Sequence, residues 1–312
     1  MIITLTLNPS LDRTIQVERL TRGAMIRATS ARLDPGGKGV NVCRALLHND
    51  IPARAVVTFG GPDGDQLIHL LAAEGIPVRA VRVSGRTRSN VSIAEPEGVV
   101  TKLNEPGDSL SALELGQVAE AVFREAGRAD WLVVCGSLPP GVPDGIYADL
   151  CQSVSAAGVR VAVDTSGPPL LAAVETGPDL IKPNREELAE AIGHPVDTVA
   201  DVVEAARWLR GLGARTVLVS LGADGAVLVD EDGVTTGEAH VSAPKSTVGA
   251  GDALLAGFLA AGARGAEALA EGLAWGAAAV SLPASRMPGP QDLRRDLVQI
   301  HTRLDLNRSL IA

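Results

Sequence analysis

The sequence has little cysteine, with three among 312 residues, at Cys43, Cys135 and Cys151. Three cysteines are too few for a disulfide framework, and none shows the C-x-x-C spacing of a zinc site. A chain without disulfides is typical of a reducing compartment, so we expect a cytoplasmic location. The N-terminal residues also lack the positive region and cleavage site of a signal peptide, and we expect none.

Aromatic residues and positive charge are scarce as well. Phe, Trp and Tyr make up 2% of the chain, and 28 Lys and Arg face 37 Asp and Glu, which gives a net charge of −9. Nucleic-acid binding depends on neutralising phosphates and stacking bases, so this composition argues against a nucleic-acid partner. The Ala-rich stretch after Ala253 carries Arg264, Glu267 and Glu271, and no apolar run reaches the ~20 residues of a membrane span, so we expect no membrane partner.

Short β-branched runs alternate with amphipathic segments along most of the chain. Runs such as Trp131–Cys135 are continuously apolar, as expected for strands that are covered on both faces. Segments such as Ile146–Ala156 space their apolar residues three or four apart, as helices do. This alternation predicts an α/β fold with a largely parallel sheet, in a single domain over residues 1–312. From Asp252 through Val298 we expect mostly helix.

Two segments interrupt this alternation, at residues 11–33 and 88–104. Both alternate apolar and polar residues without an intervening helix, which indicates short strands. We expect these strands to form a second, smaller sheet that projects from the core.

Glycine-rich turns lie where strands are predicted to lead into helices, yet the familiar nucleotide signatures are missing. The Gly37-Lys38 pair is followed by Gly39, so the chain has no Walker A loop. Neither this run nor Gly249-Ala250-Gly251 has the third glycine of a dinucleotide fingerprint, and the protein-kinase motifs D-F-G and H-R-D are absent. The chain therefore carries none of these three signatures.

An anion site is predicted just before Asp252. The small residues Gly249, Ala250 and Gly251 precede a helical pattern, and the unpaired N–H groups of a helix N-terminus form an anion site. Asp252 itself has two interpretations. It takes part in chemistry, or it only stabilises the helix N-terminus by the ~0.3–1 kcal/mol that is usual for a carboxylate there.

Three further motifs lie at predicted strand-to-helix turns and carry residues suited to anions. Each also has a plain structural interpretation: a loop with a solvated lysine, an ordinary turn, and a capped helix start. In the same order, the motifs are Asp34–Asn41, Cys135–Gly141 and Lys182–Glu187.

The combination resembles the PfkB carbohydrate kinases of the ribokinase-like superfamily over essentially the whole chain. The loop Gly36–Gly39, the pattern Asn184–Glu187 and the block Thr247–Asp252 carry the resemblance. It implies a three-layer α/β/α core with a mostly parallel sheet. It also implies a small β lid, built from the two segments that interrupt the alternation.

Within this family, the chain is similar to the branch of 1-phosphofructokinases and tagatose-6-phosphate kinases. The opening Thr6–Asp12 and the run Asn104–Gly107 are typical of that branch, and Thr87–Val91 is closer to the 1-phosphofructokinases. Ser92 departs from the Lys that many 1-phosphofructokinases carry there, which puts one substrate-side charge in doubt.

The resemblance implies a role for each matching position. Asp252 is similar to the family's catalytic base, and the amides of Gly249, Ala250 and Gly251 to its anion hole. Lys38 and Arg88 match cations that hold the phosphate already on the sugar. The positions that match substrate-binding residues are Asp12, Arg27, Gly37, Lys38, Asn41, Arg88 and Ser137. The positions that match the ATP side are Lys182, Asn184, Glu187, Ser220, Gly222 and Gly225, with Glu187 acting on Mg²⁺ indirectly.

The resemblance also implies an activity. We expect an ATP- and Mg²⁺-dependent phosphosugar kinase that converts fructose 1-phosphate to fructose 1,6-bisphosphate. Tagatose 6-phosphate and fructose 6-phosphate are alternative acceptors, and a sugar-phosphate sensor without turnover is the alternative of another class. Because lid sheets of the family often pair between subunits, a homodimer is expected.

Overall fold

The computed structural model describes residues 1–96, 99–301 and 303–311, and strands and helices alternate through most of them. The strands are β1 (Ile2–Thr6), β2 (Ser10–Gln16), β3 (Ser30–Gly36), β4 (Ala53–Phe59), β5 (Val78–Arg82), β6 (Arg88–Ala94), β7 (Val100–Asn104), β8 (Trp131–Cys135), β9 (Arg160–Asp164), β10 (Leu180–Ile181), β11 (Thr216–Ser220), β12 (Ala226–Asp230), β13 (Gly233–Ala239) and β14 (Val298–His301). The helices are α1 (Lys38–His48), α2 (Gly61–Ala73), α3 (Ala112–Ala126), α4 (Ile146–Ala156), α5 (Gly167–Val174), α6 (Arg185–Ile192), α7 (Val199–Leu212), α8 (Ala250–Ala260) and α9 (Gly265–Val280).

The larger sheet has the strand order β14-β13-β12-β11-β10-β9-β8-β1-β4-β5. Its strands from β11 to β5 are parallel, and β12, β13 and β14 extend one edge as antiparallel neighbours. Helices cover both faces of this sheet. Successive side chains of a strand point to opposite faces, and in β1 all of them are buried. In β1, Ile3 and Leu5 pack with α3 to α7, whereas Ile2 packs with α1, α2, α8 and α9. The predicted α/β fold with a mostly parallel sheet is confirmed.

The segments that interrupt the alternation form a second sheet with the order β3-β2-β6-β7. Strand β2 pairs with β3 in an antiparallel register and with β6 in a parallel one, in which Ser10 lies opposite Arg88 and Asp12 opposite Asn90. The two segments, which are far apart in sequence, are thereby held side by side. Within the described residues, none of the helices combines the length and apolar character needed to cross a membrane.

The expectation of helix through Val298 is wrong at its end. Helices α8 and α9 account for Asp252 to Val280, but Val298 begins β14, which pairs with β13 in an antiparallel register. This strand has four residues and lies at the edge of the sheet with its side chains partly exposed. It therefore lacks the continuous apolar run that marks the buried strands.

Candidate active site

The predicted turns meet at the carboxyl ends of the parallel strands of the larger sheet. Open α/β sheets bind their ligands at this end. Asp164 is the last residue of β9, and Lys182 directly follows β10. Helix α1 begins at Lys38 and helix α8 at Ala250, and both pack on the same face of the sheet.

The turn that leads into α8 has the geometry of an anion site. Gly249 caps the helix with φ 77°, a left-handed conformation that favours glycine, and Cε of Met287 occupies the space where a Cβ would lie. The Ala250 N–H donates to the Thr247 carbonyl over a long 3.4 Å, and the amides of the first helical turn have no partner within their own helix. Gly251 leaves space beside the ammonium of Lys182, which would lie 3.5 Å from a Cβ.

Asp252 is the third residue of α8 and is buried, with 7% of its surface exposed. Its Oδ2 accepts a hydrogen bond of 2.9 Å from Nδ2 of Asn41, which lies 211 residues away on α1. Burial, together with the negative charge of Asp164, raises the pKa of Asp252 to about 6, although Lys38, Asn41 and Lys182 lower it. A carboxylate of this pKa is ionised at neutral pH and is basic enough to accept a proton.

A cluster of charges, in which Asp164 and Lys182 are buried and Lys38 is partly exposed, lies beside Asp252. Lys38 Nζ donates to Asp164 Oδ1 and to Glu187 Oε1, each over 2.8 Å, and Lys182 Nζ lies 3.2 Å from Asp164 Oδ2. Burial alone would raise the pKa of Asp164, but the two ammonium groups hold it below its ordinary value. Burial would likewise lower the pKa of Lys38, and the two carboxylates raise it instead. Both pKa shifts favour the charged forms, so Asp164 is ionised and Lys38 is protonated at neutral pH.

The Asn184–Glu187 pattern forms the capped helix start that the sequence allowed, but the cap uses only one of the two carboxylate oxygens of Glu187. Asn184 Oδ1 accepts from the Glu187 N–H over 2.7 Å, and Glu187 Oε2 accepts from the Asn184 N–H over 2.9 Å, which together form a capping box. The second carboxylate oxygen of Glu187 binds Lys38. Glu187 therefore both caps α6 and faces the cluster.

The remaining residues predicted for the ATP side adjoin this helix start. The Ser220 N–H donates to the Pro183 carbonyl over 3.1 Å, which places the end of β11 beside Asn184. Gly222 begins a short 3-10 helix, Gly222–Asp224, and Gly225 follows with φ 86°. A Cβ at Gly225 would lie 2.0 Å from the Gly237 carbonyl oxygen, so a larger residue would displace this turn.

Asp12 is held at the junction of the two sheets. Its Oδ1 accepts from Ser10 Oγ over 2.6 Å and from Asn90 Nδ2 over 3.1 Å. A Cβ at Gly36 would lie 2.4 Å from the Asp12 carboxylate, so only glycine allows this approach. Burial raises the pKa of Asp12, and the hydrogen bonds and Arg88 oppose the change. Gly36 is followed by the cap residue Gly37 and by α1, which connects this carboxylate to Lys38 and Asn41.

The other predicted substrate residues differ in position. Arg88 begins β6 and donates from Nη1 to the Glu105 carbonyl over 3.0 Å, while its Nε is buried without a partner among the described residues. Ser137 Oγ accepts from Asn8 Nδ2 over 3.4 Å. Arg27 lies exposed in the connection between β2 and β3 and makes no hydrogen bond or ion pair with the described part of the chain.

Sequence reasoning missed two residues of this site, Asp164 and Asn90. Asp164 ends an apolar strand in the run Arg160–Asp164, and an acidic residue at the carboxyl end of a parallel strand was the available signal. Asn90 had no local signal, because its contact with Asp12 depends on the pairing of β2 with β6.

Comparison with known proteins identifies the family of this chain. The model of the pfkB family of carbohydrate kinases matches residues 5–291. The 1-phosphofructokinase of Xanthomonas campestris is 40% identical over 266 residues, 83% of each chain. That of Haloferax volcanii is 38% identical over 297 residues, 94% of this chain and 95% of the relative.

A solved structure extends the likeness to three dimensions. The phosphofructokinase-2 of Escherichia coli in complex with fructose-6-phosphate is 34% identical, with a TM-score of 0.85 over 93% of this chain and 96% of that one. The chain therefore matches these proteins over nearly its whole length, and it carries the buried carboxylate of Asp252 at the start of α8, hydrogen-bonded to Asn41 near the start of α1. The chain belongs to the pfkB family of carbohydrate kinases, which transfer a phosphoryl group to a sugar hydroxyl.

Proposed function

We propose that this protein is a 1-phosphofructokinase, which transfers a phosphoryl group from ATP to fructose 1-phosphate and releases fructose 1,6-bisphosphate and ADP. The hydrogen bond between Asn41 and Asp252 is the observation that carries the proposal. It joins α1, which follows the sugar-side strands β2 and β3, to the start of α8, where the anion site lies. The 1-phosphofructokinases among the relatives support the choice of acceptor.

In this mechanism, the residues position groups and stabilise charge. Asp252 accepts the proton of the attacking sugar hydroxyl, whose oxygen forms the new bond to phosphorus while the bond from phosphorus to the ADP oxygen breaks. The amides of Gly249, Ala250 and Gly251 stabilise the negative charge of the transferring phosphoryl group. Asp12 and Asn41 orient the sugar hydroxyls, and Arg88 holds the phosphate that the sugar already carries.

The ATP side consists of Lys182, Asn184, Glu187 and the turn from Ser220 to Gly225, where two glycines with positive φ leave the backbone open. Within the described residues, no group of three acidic, His or Cys side chains could hold a metal ion alone. This fits Mg²⁺, which keeps several waters and binds through few carboxylates plus phosphates. Asp164 and Glu187 would hold it through water, and the ion would neutralise phosphate charge.

The acceptor is tested by an assay that couples ADP formation to a visible signal. We expect the highest kcat/KM with fructose 1-phosphate, compared with fructose 6-phosphate, tagatose 6-phosphate and unphosphorylated fructose. A higher kcat/KM with either 6-phosphate would identify that sugar as the acceptor, and the protein would still be a phosphosugar kinase. ATP consumption with none of these sugars would favour the sensor alternative, against which the retention of Asp252, Gly249 and Gly251 argues.

The contacts of Lys38 support a role on the donor side, different from the role expected from the sequence. Both its partners, Asp164 and Glu187, lie with the ATP-side residues, and neither is a sugar-side group. We expect Lys38→Met to lower turnover by a similar factor for phosphorylated and unphosphorylated sugars. Steady-state kinetics with fructose 1-phosphate and fructose measure this. If the variant raised KM for the phosphosugar alone, Lys38 would hold the sugar's phosphate.

The pH dependence follows from the raised pKa of Asp252. Because a base acts only when deprotonated, kcat/KM should fall tenfold per pH unit below about 6 and be level above it. The substrate's phosphate also titrates near pH ~6, so Asn41→Ala serves as the control. Loss of the Asn41 hydrogen bond raises the pKa of Asp252, so the fall of kcat/KM at low pH, called the acid limb below, should move to higher pH. If the acid limb stayed at the same pH, the titrating group would be the phosphate of the substrate.

We propose a homodimer that forms through the second sheet. The supporting observation is an exposed apolar group around its edge strand β7, consisting of Val99, Val100 and Leu103, which are 55%, 37% and 58% exposed. Leu103→Lys is expected to convert the dimer to a monomer in light scattering after size exclusion. An unchanged mass for this variant would place the interface elsewhere.

We also propose a cytoplasmic location. The three cysteines are free and buried, and burial raises the pKa of the Cys43 thiol to about 12, so that it stays unreactive. A phosphosugar kinase also needs ATP, which the cytoplasm supplies. Fractionation of cells that express the full chain tests this location.

A further inference from the structure

A buried arginine on α1 has no part in the mechanism above. Arg44 is 2% exposed and lies one turn after Asn41. Its Nε and Nη2 donate to the two carboxylate oxygens of Glu74 over 2.7 and 2.9 Å. Its remaining nitrogen, Nη1, donates to the Ser285 carbonyl over 3.0 Å and to Asn41 Oδ1 over 3.4 Å. A buried charge in this setting needs such partners.

The contact with Asn41 fixes which way that amide faces. Arg44 presents a donor to Oδ1, and the Asp252 carboxylate presents an acceptor to Nδ2. If the amide turned over, its NH₂ would face the guanidinium and its oxygen would face the carboxylate, so both contacts would become repulsive. The guanidinium and the carboxylate therefore select the same single orientation.

The bond to Ser285 extends this effect to the glycine turn. Ser285 precedes by two residues Met287, whose Cε fills the space where Gly249 would carry a side chain. Arg44 thereby ties α1 to the segment that packs against the start of α8. The base and its neighbouring amides are both connected to this one guanidinium.

We propose that Arg44 is a positioning residue that acts through Asn41, by holding its amide in the orientation that donates to Asp252. The inference rests on the proposed function, in which Asp252 is the base. The alternative is a purely structural role, in which the pair of Arg44 with Glu74 only holds α1 against the end of α2. The two roles differ in what happens to the acid limb of the rate.

The groups that face Asp252 decide how that limb is interpreted. They are Lys38 and Asn41 on α1, Cys135 at the end of β8, Asp164 at the end of β9 and Lys182 after β10. Arg44→Lys changes none of them, keeps the positive charge and can still bind Glu74. It removes only the bonds to Asn41 and Ser285, because one ammonium cannot reach all three partners.

For Arg44→Lys we expect kcat to fall about 2- to 10-fold, which corresponds to one hydrogen bond, with KM for both substrates unchanged. The acid limb should move up by about 0.4–1 pH unit. Glu74→Gln is the matched control, since it weakens the structural pair and leaves Arg44 beside Asn41. It should lower the denaturation midpoint without moving the limb.

A double-mutant cycle gives the sharpest test. In the Asn41→Ala background, Arg44→Lys should cause no further movement of the limb, because the residue through which it acts is gone. An additive movement, or an equal movement in Glu74→Gln, would overturn the inference, as would Arg44→Lys with wild-type kcat and limb. Arg44→Met, which fills the same space without polar groups, repeats the measurement if the lysine variant folds poorly. An active Asp252→Asn would instead refute the proposed function.

Discussion

Replacing Asp252 by Asn is expected to lower kcat by about 10²–10⁴-fold, with little change in the binding of either substrate. The amide keeps the size of the carboxylate and accepts no proton at neutral pH, so the sugar hydroxyl would have to attack without a base. Single-turnover kinetics with binding measured separately would show a loss in the chemical step alone. Near-normal turnover in this variant would contradict the assignment of the base.

Asp63→Asn is the matched control for this prediction. Asp63 is the third residue of α2, as Asp252 is of α8, and each carries a carboxylate in the first turn of its helix. If the carboxylate at 252 served only the helix N-terminus, both substitutions would have similar small effects. The variants should also differ in stability. Because burial raises the pKa of Asp252, its ionised form weakens the fold above about pH 6, and Asp252→Asn should be at least as stable as the wild type at pH 8.

Replacing Asp164 by Asn should cost about 3–5 kcal/mol of unfolding free energy at pH 7, since it leaves the buried ammonium group of Lys182 without its counter-ion, whereas the partly exposed Lys38 keeps Glu187. The side chain of Asp164 is fully buried, and that of Lys182 is 4% exposed. Urea denaturation at pH 7 measures the loss. The difference from the wild type should shrink in acid. The pKa of Asp164 is lowered in the folded state, so its contribution is present above about pH 4 and is lost as the pH falls through the folded value.

Asp130→Asn provides the comparison for this stability measurement. Asp130 pairs with the N-terminal ammonium at the surface, and its side chain is 68% exposed. Exposed pairs contribute about 0–1 kcal/mol, so this variant should unfold close to the wild type. If both variants lost the same small amount, Asp164 would not hold the charge cluster together.

Sequence analysis predicted the parts of the fold that depend on local pattern. The apolar run Trp131–Cys135 matches β8 at both ends, because a strand covered on both faces needs apolar residues throughout. The glycine-rich turns predicted helices after them, and the structure starts those helices at Lys38 and Ala250. The strand Val298–His301 could not be found in this way, because its stability comes from pairing with β13 and little from its own side chains.

The contacts of the site were harder to predict than its positions. Lys38 was expected among the sugar-side residues, and its partner Asp164 lies 126 residues away, so no local pattern reports their pairing. Arg44 is a similar case. Arginine is seldom buried, and only the tertiary structure brings Glu74 and Ser285 to it. The motifs predicted which turns meet in the candidate site, whereas the ion pairs within it depend on contacts between distant segments.

The parallel pairing of β2 with β6 has a kinetic consequence. Asp12 and Arg88 both belong to the small sheet, and the ladder of hydrogen bonds between their strands holds them side by side. Asp252 belongs to the large sheet's helix layer. In the proposed mechanism, the sugar is therefore held between residues of the small sheet and residues of the helix layer, which include Asn41. A change in the angle between the two sheets would alter the distance from the sugar hydroxyl to the Asp252 carboxylate, and with it the rate of phosphoryl transfer.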